Sequence, residues 1–509
     1  MFRRTQLLIC RFPFYLRITP KQRAPIFLNK KNYEPFNGKT RHYSRSTQLQ
    51  DTIYALSTAQ GKAGVAIIRI SGSKASQAVT KMAPKLLPIP RKATGRIIVH
   101  PITGEVLDHG LVLWFPGPSS YTGEDVVEFQ IHGGTSVIRG VLDALGNIDG
   151  FRHAEQGEFT RRAFDNEKLD LTEIEGLADL LNAETEAQRR QALRQAQGGL
   201  RNLYDNWRQQ LIENMALVEA VIDFGEDENI EEGVLEQVRE RIKNLTSMMY
   251  DHTNDNRRGE IMRDGIHVTI LGPPNVGKSS FLNCLAAIVS PIPGTTRDVI
   301  EIFLNLGGYP IVVGDTAGLR KSDDIIEIEG MTRAKNRILS SDIKICILSS
   351  VDVLNALNSK INILREIDPL VFHSVDEETF LILNKSDLLN KNELSYLREI
   401  FTKIIPTNYI FCLSCITGDG VKEFLETFVN LLRQKYDSCT SHVALITQAR
   451  HRKHLDDCMQ GLQNFLVQND LVLAAEELRH ATNALGKITG RVSVDEILNV
   501  IFQQFCIGK

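Results

Sequence analysis

The chain has 509 residues, which is too long for one hydrophobic core and predicts about three domains. Its 42% hydrophobic and 24% charged residues are typical of globular proteins and exclude a wholly disordered or collagen-like chain. No uninterrupted apolar run reaches the ~18 residues of a membrane-spanning helix, and the 8 cysteines are too scattered for a secreted disulfide framework.

The chain begins with a basic leader. Residues 1–50 contain eleven lysine and arginine residues against one acid, Glu34, a net charge of +10 that leaves −13 on residues 51–509. An arginine-rich, acid-poor segment of this kind is typical of organelle transit peptides, and arginine follows its short apolar stretch too soon for a secretory signal. We therefore predict a mitochondrial transit peptide over residues 1–46 and a mature protein in the matrix. A basic RNA-binding arm is the alternative.

Residues 47–165 have the pattern of an α+β domain. Short apolar runs at residues 65–70, 110–115 and 125–131 each end at glycine or proline, and this pattern predicts strands.

The rest of the chain changes pattern twice. Residues 166–258 carry apolar residues at near-helical spacing with few glycines, which predicts helices. Over residues 259–436, apolar strands alternate with helical stretches, as in a doubly wound parallel sheet. Residues 437–509 are helical again. Because neither helical block can close a core alone, we predict one discontinuous helical domain with the α/β domain inserted in its middle.

A phosphate-binding loop is predicted after the first strand of the α/β domain. Ile266–Leu271 is an apolar strand, Gly272–Ser279 reads G-x-x-x-x-G-K-S, and a helix is predicted from near Ser280. The glycines let backbone N–H groups face phosphates, and the helix N-terminus adds a favourable dipole. Lys278 would bind the β- and γ-phosphates, and the Ser279 hydroxyl would bind Mg²⁺.

Further motifs follow in the order found in GTPases. Val312–Gly318 predicts a strand that delivers Asp315 to Mg²⁺ and the Gly318 N–H to the γ-phosphate. Asn384–Asp387 follows another strand, and the Asp387 carboxylate can accept hydrogen bonds from guanine but would stay unpaired against adenine. These motifs predict a Ras-like P-loop G domain that hydrolyses GTP. The predicted GTP-binding residues are Asn275, Val276, Gly277, Lys278, Ser279, Ser280, Thr295, Thr296, Asp315, Thr316, Ala317, Gly318, Asn384, Lys385, Asp387, Ser414 and Cys415.

The G domain is also predicted to bind two cations. Thr296 would join Ser279 and Asp315 around Mg²⁺ while the γ-phosphate is present. Leu319 stands where Ras-like proteins have glutamine, so no side chain there can orient the attacking water. The neutral oxygen of Asn275 could bind K⁺, whose charge would replace an arginine finger; a loop-stabilising amide is the alternative. The other predicted K⁺ ligands are carbonyl groups of the loop that contains Ser290, Ile292 and Thr295.

Motifs outside the common GTPase set are more specific. They lie at Gly64–Gly72, Tyr121–Glu128, Ile131–Gly134, Gly157–Phe164, Lys168–Leu171, Gly294–Asp298 and Phe505–Lys509. On these residues the sequence resembles the MnmE (TrmE) family, the tRNA wobble-uridine modification GTPases, in a mitochondrial version. The resemblance extends over essentially the whole chain after the leader.

The resemblance implies that the amino-terminal domain binds a one-carbon tetrahydrofolate, in the 5-formyl or methylene form, and forms a homodimer. By motif match, Arg69, Glu128, Lys168 and Lys509 would hold the folate. Without the resemblance, Glu128 and Lys168 would be read as solvated charges. Cys506 matches the reactive C-terminal cysteine of the family, with a small buried apolar side chain as the alternative.

The resemblance also implies the reaction. Glu327 would orient the attacking water in place of the missing glutamine, so the predicted catalytic residues are Glu327, Lys278 and Cys506. The family acts with an FAD-dependent partner, MnmG (GidA), to install an aminomethyl-type group at C5 of the wobble uridine of tRNA. The group is carboxymethylaminomethyl or taurinomethyl, and the sequence does not choose between them. The loop Ala59–Gly64 is less rich in glycine and proline than is usual in the family, so the resemblance does not predict which residues form the rim of the folate pocket.

A mitochondrial ribosome-assembly or translation GTPase without modification chemistry is the alternative function. Such proteins normally carry an RNA-binding appendage, and no extended basic segment follows residue 50. The charge of −13 on the mature chain confines any tRNA contact to local clusters or to a partner. The basic cluster 450–455 is one such candidate, and the solvated face of a helix is its other interpretation.

Overall fold

The structure is a computed structural model, and it describes residues 51–224, 233–288, 301–315, 341–358, 376, 378–403, 405–436, 445–491 and 508. From Asp51 onward the chain forms one compact unit. Within these ranges, no helix combines the length and the apolar character that crossing a membrane requires. The predicted transit peptide lies outside the described residues.

The amino-terminal part combines one sheet with three helices. Its elements are β1 (Thr52–Leu56), β2 (Ala63–Ser71), α1 (Ala75–Met82), β3 (Thr94–Val99), β4 (Val106–Phe115), β5 (Val126–Gly133), α2 (Thr135–Gly146), β6 (Phe151–His153) and α3 (Glu158–Asp165). The strands lie in the order β3-β4-β5-β2-β1-β6. The predicted runs 65–70 and 110–115 lie within β2 and β4, and the run 125–131 lies in β5 except for its first residue.

This sheet buries both of its faces near β1. Because side chains alternate along a strand, Tyr54 points to one face and its neighbours Ile53 and Ala55 point to the other. The larger core, which contains Tyr54, packs α1 and α2 against the sheet. A smaller cluster packs Phe159 of α3 against Ile53 and Ala55. The second face is where the candidate amino-terminal site lies.

Five helices follow: α4 (Leu171–Asn182), α5 (Glu186–Ala196), α6 (Gly199–Phe224), α7 (Gly233–Thr253) and α8 (Arg258–Asp264). Helix α4 begins at a capping box, in which the Asp170 carboxylate accepts from the Glu173 N–H and the Glu173 side chain accepts from the Asp170 N–H. These bonds satisfy backbone donors that have no partner inside the helix, which explains why the helix begins there.

The α/β part contains the elements β7 (Ile266–Leu271), α9 (Lys278–Ile288), β8 (Glu301–Leu306), β9 (Tyr309–Asp315), β10 (Ile343–Ser349), α10 (Ser350–Asn358), β11 (Phe380–Asn384), α11 (Lys391–Phe401), β12 (Ile410–Cys412) and α12 (Val421–Tyr436). The strand order is β12-β11-β10-β7-β9-β8, with every neighbouring pair parallel except β8 and β9. Helix α9 begins at Lys278, two residues before the predicted start.

Two helices follow the α/β part, α13 (Ala449–Val467) and α14 (Leu471–Thr489). They share one core with α6 and α7, in which Trp207 and Ile242 from before the α/β part meet Leu462 and Leu485 from after it. In the sequence these helices form two blocks that are separate along the chain, from which we predict one discontinuous domain. Contact between them removes the apolar faces of both from water.

The chain enters and leaves the α/β part at neighbouring points. Gly259 in α8 lies so close to the Ile446 carbonyl that any Cβ at position 259 would overlap with it. The Gln191 side chain of α5 donates to the Leu445 carbonyl at 3.3 Å. Helix α5 also contacts the β8–β9 turn, where the Ala187 N–H donates to the Gly308 carbonyl at 3.1 Å.

Candidate functional site

The G motifs lie at one edge of the α/β sheet. Lys278, Asp315, Asn384 and Ser414 lie at or just beyond the carboxyl ends of β7, β9, β11 and β12, which are parallel strands of one sheet. The carboxyl ends of parallel strands are where α/β proteins bind ligands.

The phosphate-binding loop depends on two glycines. Gly272 has φ +143°, and a Cβ there would overlap with the Ile347 carbonyl. Gly277 has φ +98°, and a Cβ there would overlap with Nδ2 of Asn384. The Lys278 ammonium folds back into this loop and donates to the carbonyls of Gly272 and Pro273, both at 2.7 Å. At these two positions the loop therefore has no room for a side chain, and both need the positive φ that glycine adopts readily.

Asn384 connects the phosphate loop to the loop after β12. Its side-chain amide donates to the Val276 carbonyl at 2.8 Å, and its amide oxygen accepts from the Cys415 N–H at 3.3 Å. Asn384 is buried, so both bonds are protected from water. This role was not foreseen from the sequence, which assigned Asn384 only to nucleotide binding.

The other predicted residues near the base site differ in exposure. Asp387 lies exposed on a short 3₁₀ turn after Lys385, a position from which its carboxylate can accept hydrogen bonds from a ligand. The Ser414 hydroxyl is buried and accepts from the Ile416 and Thr417 N–H groups, so it shapes the loop. Cys415 is partly buried, and burial raises the pKa of its thiol to about 11.

Asn275, the predicted K⁺ ligand, is exposed and has φ +62°. Asparagine tolerates this left-handed backbone better than most residues, which is a reason for its presence that involves no cation. Among the residues that the structure describes, its side chain makes no hydrogen bond with the loop. Ser279 and Ser280 are also exposed, at the start of α9.

Several predicted site residues lie outside the described residues. They are Ser290, Ile292, Thr295, Thr296, Thr316, Ala317, Gly318, Glu327, Cys506 and Lys509. The backbone of Asp315 is described at the end of β9, opposite Ile270 of β7.

In the amino-terminal part, the structure brings Arg69 and Glu128 together. They are cross-strand partners on β2 and β5, and Nε of Arg69 lies 3.0 Å from Oε1 of Glu128. The guanidinium also lies over the ring of Tyr121 at 5.2 Å and near that of Phe159 at 5.8 Å. The Glu128 side chain is only 15% exposed, so its interpretation as a solvated strand charge is wrong. Lys168 is partly exposed in the turn after α3, and the structure shows no contact of its side chain with this pair.

A network of buried charges next to this pair was missed from the sequence. Arg162 binds both oxygens of Glu124 at 3.0 and 3.1 Å, the Asp51 carbonyl at 2.9 Å and Glu158 at 3.1 Å. Although burial opposes it, hydrogen bonding to Arg152 contributes to a lowered pKa at Glu158. The network ties α3 to the loop before β5. The motifs that contain these residues were visible, but their pairing was not.

The C-terminal end of the chain reaches the amino-terminal sheet. The Ser57 hydroxyl donates to the Gly508 carbonyl at 2.8 Å, and a Cβ on Gly508, which has φ +107°, would overlap with the Leu56 carbonyl. Ala55, just before this point on β1, is the cross-strand partner of Arg69. The segment 505–509 was singled out from sequence, and its penultimate residue lies one strand away from Arg69.

The basic cluster 450–455 contains both paired and exposed cations. Arg450 binds Glu175, which is 5% exposed, at 2.9 Å. Arg452 binds Glu260, which is 4% exposed, at 3.0 Å. These two arginines are paired with buried acids from distant parts of the chain, whereas Lys453 of the same cluster is exposed.

Two known protein families match parts of this chain. Residues 52–168 match the family described as "GTP-binding protein TrmE N-terminus", and residues 171–506, well over half of the chain, match the "MnmE helical domain". The chain belongs to the MnmE (TrmE) family. Members of this family include tRNA modification GTPases, and the order and placement of the G motifs in this MnmE-family chain are those of a GTPase.

Full-length relatives agree with this assignment. The mitochondrial "5-taurinomethyluridine-[tRNA] synthase subunit GTPB3" of Danio rerio is 48% identical over 472 residues, 90% of this chain and 93% of that protein. The human protein of the same name is 46% identical with the same coverage. The "tRNA modification GTPase MnmE" of Paramagnetospirillum magneticum is 44% identical, and the match covers 91% of this chain and 100% of that protein. The eukaryotic names agree with a mitochondrial MnmE-family protein, as the leader predicts.

Proposed function

We propose that this protein hydrolyses GTP in the mitochondrial matrix and, with an FAD-dependent subunit of the MnmG (GidA) type, installs an aminomethyl-type group at C5 of the wobble uridine of mitochondrial tRNAs. The observation that carries the proposal is that one chain joins the G motifs to an amino-terminal Arg69–Glu128 pair beside which the C-terminal Gly508 is bound. A ribosome-assembly GTPase would have no use for this second site.

The transferred amine is proposed to be taurine. The relatives between 46% and 48% identical from Danio rerio and Homo sapiens are named as 5-taurinomethyluridine synthase subunits, whereas the bacterial relatives carry no such name. The expected product on mitochondrial tRNA is therefore 5-taurinomethyluridine.

The residues of the phosphate loop fit GTP with Mg²⁺. Lys278 now binds two carbonyls of its own loop, and a phosphate would offer its ammonium a stronger, charged acceptor. Mg²⁺ prefers hard oxygen ligands, and the exposed Ser279 hydroxyl together with Asp315 and Thr296 supplies that donor set. When bound, the ion would neutralise charge that develops on the phosphates.

K⁺ is proposed to assist hydrolysis through Asn275, whose exposed side chain has no partner in the described part of the chain. The carbonyl groups near Ser290, Ile292 and Thr295 would complete its ligands, and Glu327 would orient water. We expect faster hydrolysis in K⁺ than in Na⁺. Asn275→Ala should abolish the difference while GTP affinity stays within about threefold, because the phosphate contacts are kept. Equal rates for the wild type in both salts would contradict the role of K⁺.

A one-carbon tetrahydrofolate is proposed to bind at Arg69 and Glu128, with Lys168 and Lys509. A pterin presents an amide-like edge to a carboxylate, and its glutamate tail pairs with cations. The Arg69–Glu128 ion pair fits this chemistry, because it holds the carboxylate in one orientation and is only partly exposed. When bound, the folate would supply the one-carbon group.

A homodimer is proposed to form through the amino-terminal sheet. Val65, Ile97 and Leu111 are 56%, 49% and 41% exposed and line one groove of about 490 Å³ on the sheet. Exposed apolar side chains gathered in this way are typical of an interface. Replacing Val65 and Leu111 by glutamate should convert a dimer to a monomer in light scattering, and an unchanged mass would rule out this face.

The proposed function is tested by mass spectrometry of mitochondrial tRNA nucleosides. Cells that lack the protein should lose 5-taurinomethyluridine, and the wild-type gene should restore it. Arg69→Met should fail to restore it, whereas an exposed control, Arg479→Gln, should restore it fully. Full modification in the deletion strain would refute the proposal.

A further inference from the structure

A buried group of charges joins three parts of the chain that are distant in sequence. Glu175 of α4 is 5% exposed and accepts from Arg450 at 2.9 Å and from His451, which is fully buried, at 2.7 Å. Burial by itself would raise the pKa of Glu175, but His451 and Arg450 lower it below its usual range. Glu175 and His451 are therefore buried together, and Arg450, which is 17% exposed, lies at the edge of this contact.

Arg450 has a second set of contacts, at the end of α14. Its guanidinium donates to the carbonyls of Lys487 at 2.9 Å and Ile488 at 3.2 Å. The last carbonyls of a helix have no partner inside the helix, and a cation there also interacts well with the helix dipole. Gly490, with φ +80°, ends the helix where a Cβ would lie 2.9 Å from the Phe164 ring of α3. The end of α14 is thus held between Arg450 and the amino-terminal part.

The position of Arg450 also connects it to the α/β part. It lies in the first turn of α13, directly after the segment by which the chain leaves the G domain. That segment is bound to α5, because the Thr447 hydroxyl donates to the Gln195 side chain at 2.7 Å and the Leu445 carbonyl accepts from Gln191. A displacement of this segment would move Arg450, and with it the end of α14.

We propose that Arg450 is a positioning residue that joins the segment leaving the G domain to the end of α14, so that a displacement of one is passed to the other. Its link to tRNA modification rests on the proposed function. Glu175 fixes the guanidinium, and the carbonyls at the end of α14 accept hydrogen bonds from it. The residue acts through other groups and does not touch substrate.

Lysine is the informative substitution. Arg450→Gln leaves Glu175 with one partner fewer in a buried site and can unfold the helical core. Arg450→Lys keeps the charge beside Glu175, but a single ammonium cannot reach Glu175 and both carbonyls of α14 at once. The control is Arg479→Gln. Arg479 is an exposed arginine of α14, the helix whose end Arg450 binds, and it pairs with Glu219 and Glu476.

The full-length protein with its partner subunit is the material for the test. For Arg450→Lys we expect GTP hydrolysis within about twofold of wild type and tRNA modification reduced about tenfold, the size typical of lost coupling between sites. Hydrogen exchange of the peptide at the end of α14, residues 487–491, should become faster, because two of its carbonyls lose hydrogen bonds from Arg450. Arg479→Gln should match wild type in all three measurements.

Three outcomes would overturn the proposal. The first is tRNA modification by Arg450→Lys equal to that of Arg479→Gln. The second is unchanged hydrogen exchange of the peptide at the end of α14. The third is a parallel fall of hydrolysis, modification and melting temperature, which would show a purely structural residue. If the wild type itself modified no tRNA, the proposed function would fail, and the hydrogen-exchange measurement would still decide the role of Arg450.

Discussion

Gly277 offers a sharp test of how the phosphate loop is built. Its φ of +98° is costly for any residue with a Cβ, and that Cβ would overlap with Nδ2 of Asn384. Gly277→Ala therefore has two separate effects, backbone strain and displacement of the Asn384 side chain. The second effect matters for function because Asn384 connects the phosphate loop to the loop that contains Cys415.

The expected loss follows from these contacts. A left-handed backbone costs alanine about 1 kcal/mol relative to glycine. Displacing Asn384 breaks its bonds to the Val276 carbonyl and the Cys415 N–H, each worth about 1 kcal/mol in a buried site. The sum is about 3 kcal/mol. If the whole of this free energy is lost from nucleotide binding, the dissociation constant rises about 100-fold.

The assay is a titration of the purified protein with a fluorescent GDP analogue, together with thermal unfolding. Gly104→Ala is the matched control, because Gly104 also has a positive φ of +72° but has no atom within 4 Å of its Cβ position. The control should lose about 1 kcal/mol of stability and no nucleotide affinity. Affinity of Gly277→Ala within threefold of the control would refute the described link between the glycine and Asn384.

Other substitutions test the remaining parts. Arg162→Met leaves Glu124 and Glu158 without their buried partner and should destabilise the amino-terminal part by about 3–5 kcal/mol in thermal unfolding, with a smaller loss for Arg162→Lys. Burial lowers the pKa of His252 to about 4 in the folded protein. As pH falls below 6.5, the unfolded chain therefore takes up a proton at His252 that the folded protein does not, and the free energy of unfolding decreases. His252→Gln should remove about 2 kcal/mol of the stability difference between pH 7 and pH 5, followed in urea by the fluorescence of the adjacent Trp207; an unchanged difference would contradict the assignment. Glu327→Gln should lower the hydrolysis rate at least about 100-fold at unchanged GTP affinity, measured by single-turnover phosphate release.

Local features were predictable from the sequence, because a few neighbouring residues determine them. The phosphate loop is an example: glycines at a set spacing after an apolar strand are needed wherever backbone must approach phosphate, so Gly272–Ser279 could be recognised without a structure. The strands β2, β4 and β5 were found for the same reason, since alternating apolar residues and a following turn lie within one short segment.

Pairings between distant segments were not predictable. Glu175 and Arg450 are 275 positions apart, and the Ser57–Gly508 contact joins residues 451 positions apart. The sequence does not distinguish a charged residue that faces water from one that faces a buried partner. The sequence therefore did not reveal the buried acids beside Arg450 and Arg452, since only folding decides which acids face them.

Composition and motifs alone predict a GTPase with a basic leader, and the family resemblance adds the prediction of a second, amino-terminal site. What only the tertiary structure decided is which charges are partners, which side chains of the two helical blocks meet in one core, and where Gly508 lies. The physical reason is that burial, and with it the strength of every ion pair, depends on all segments that pack around a group and not on its neighbours in the chain.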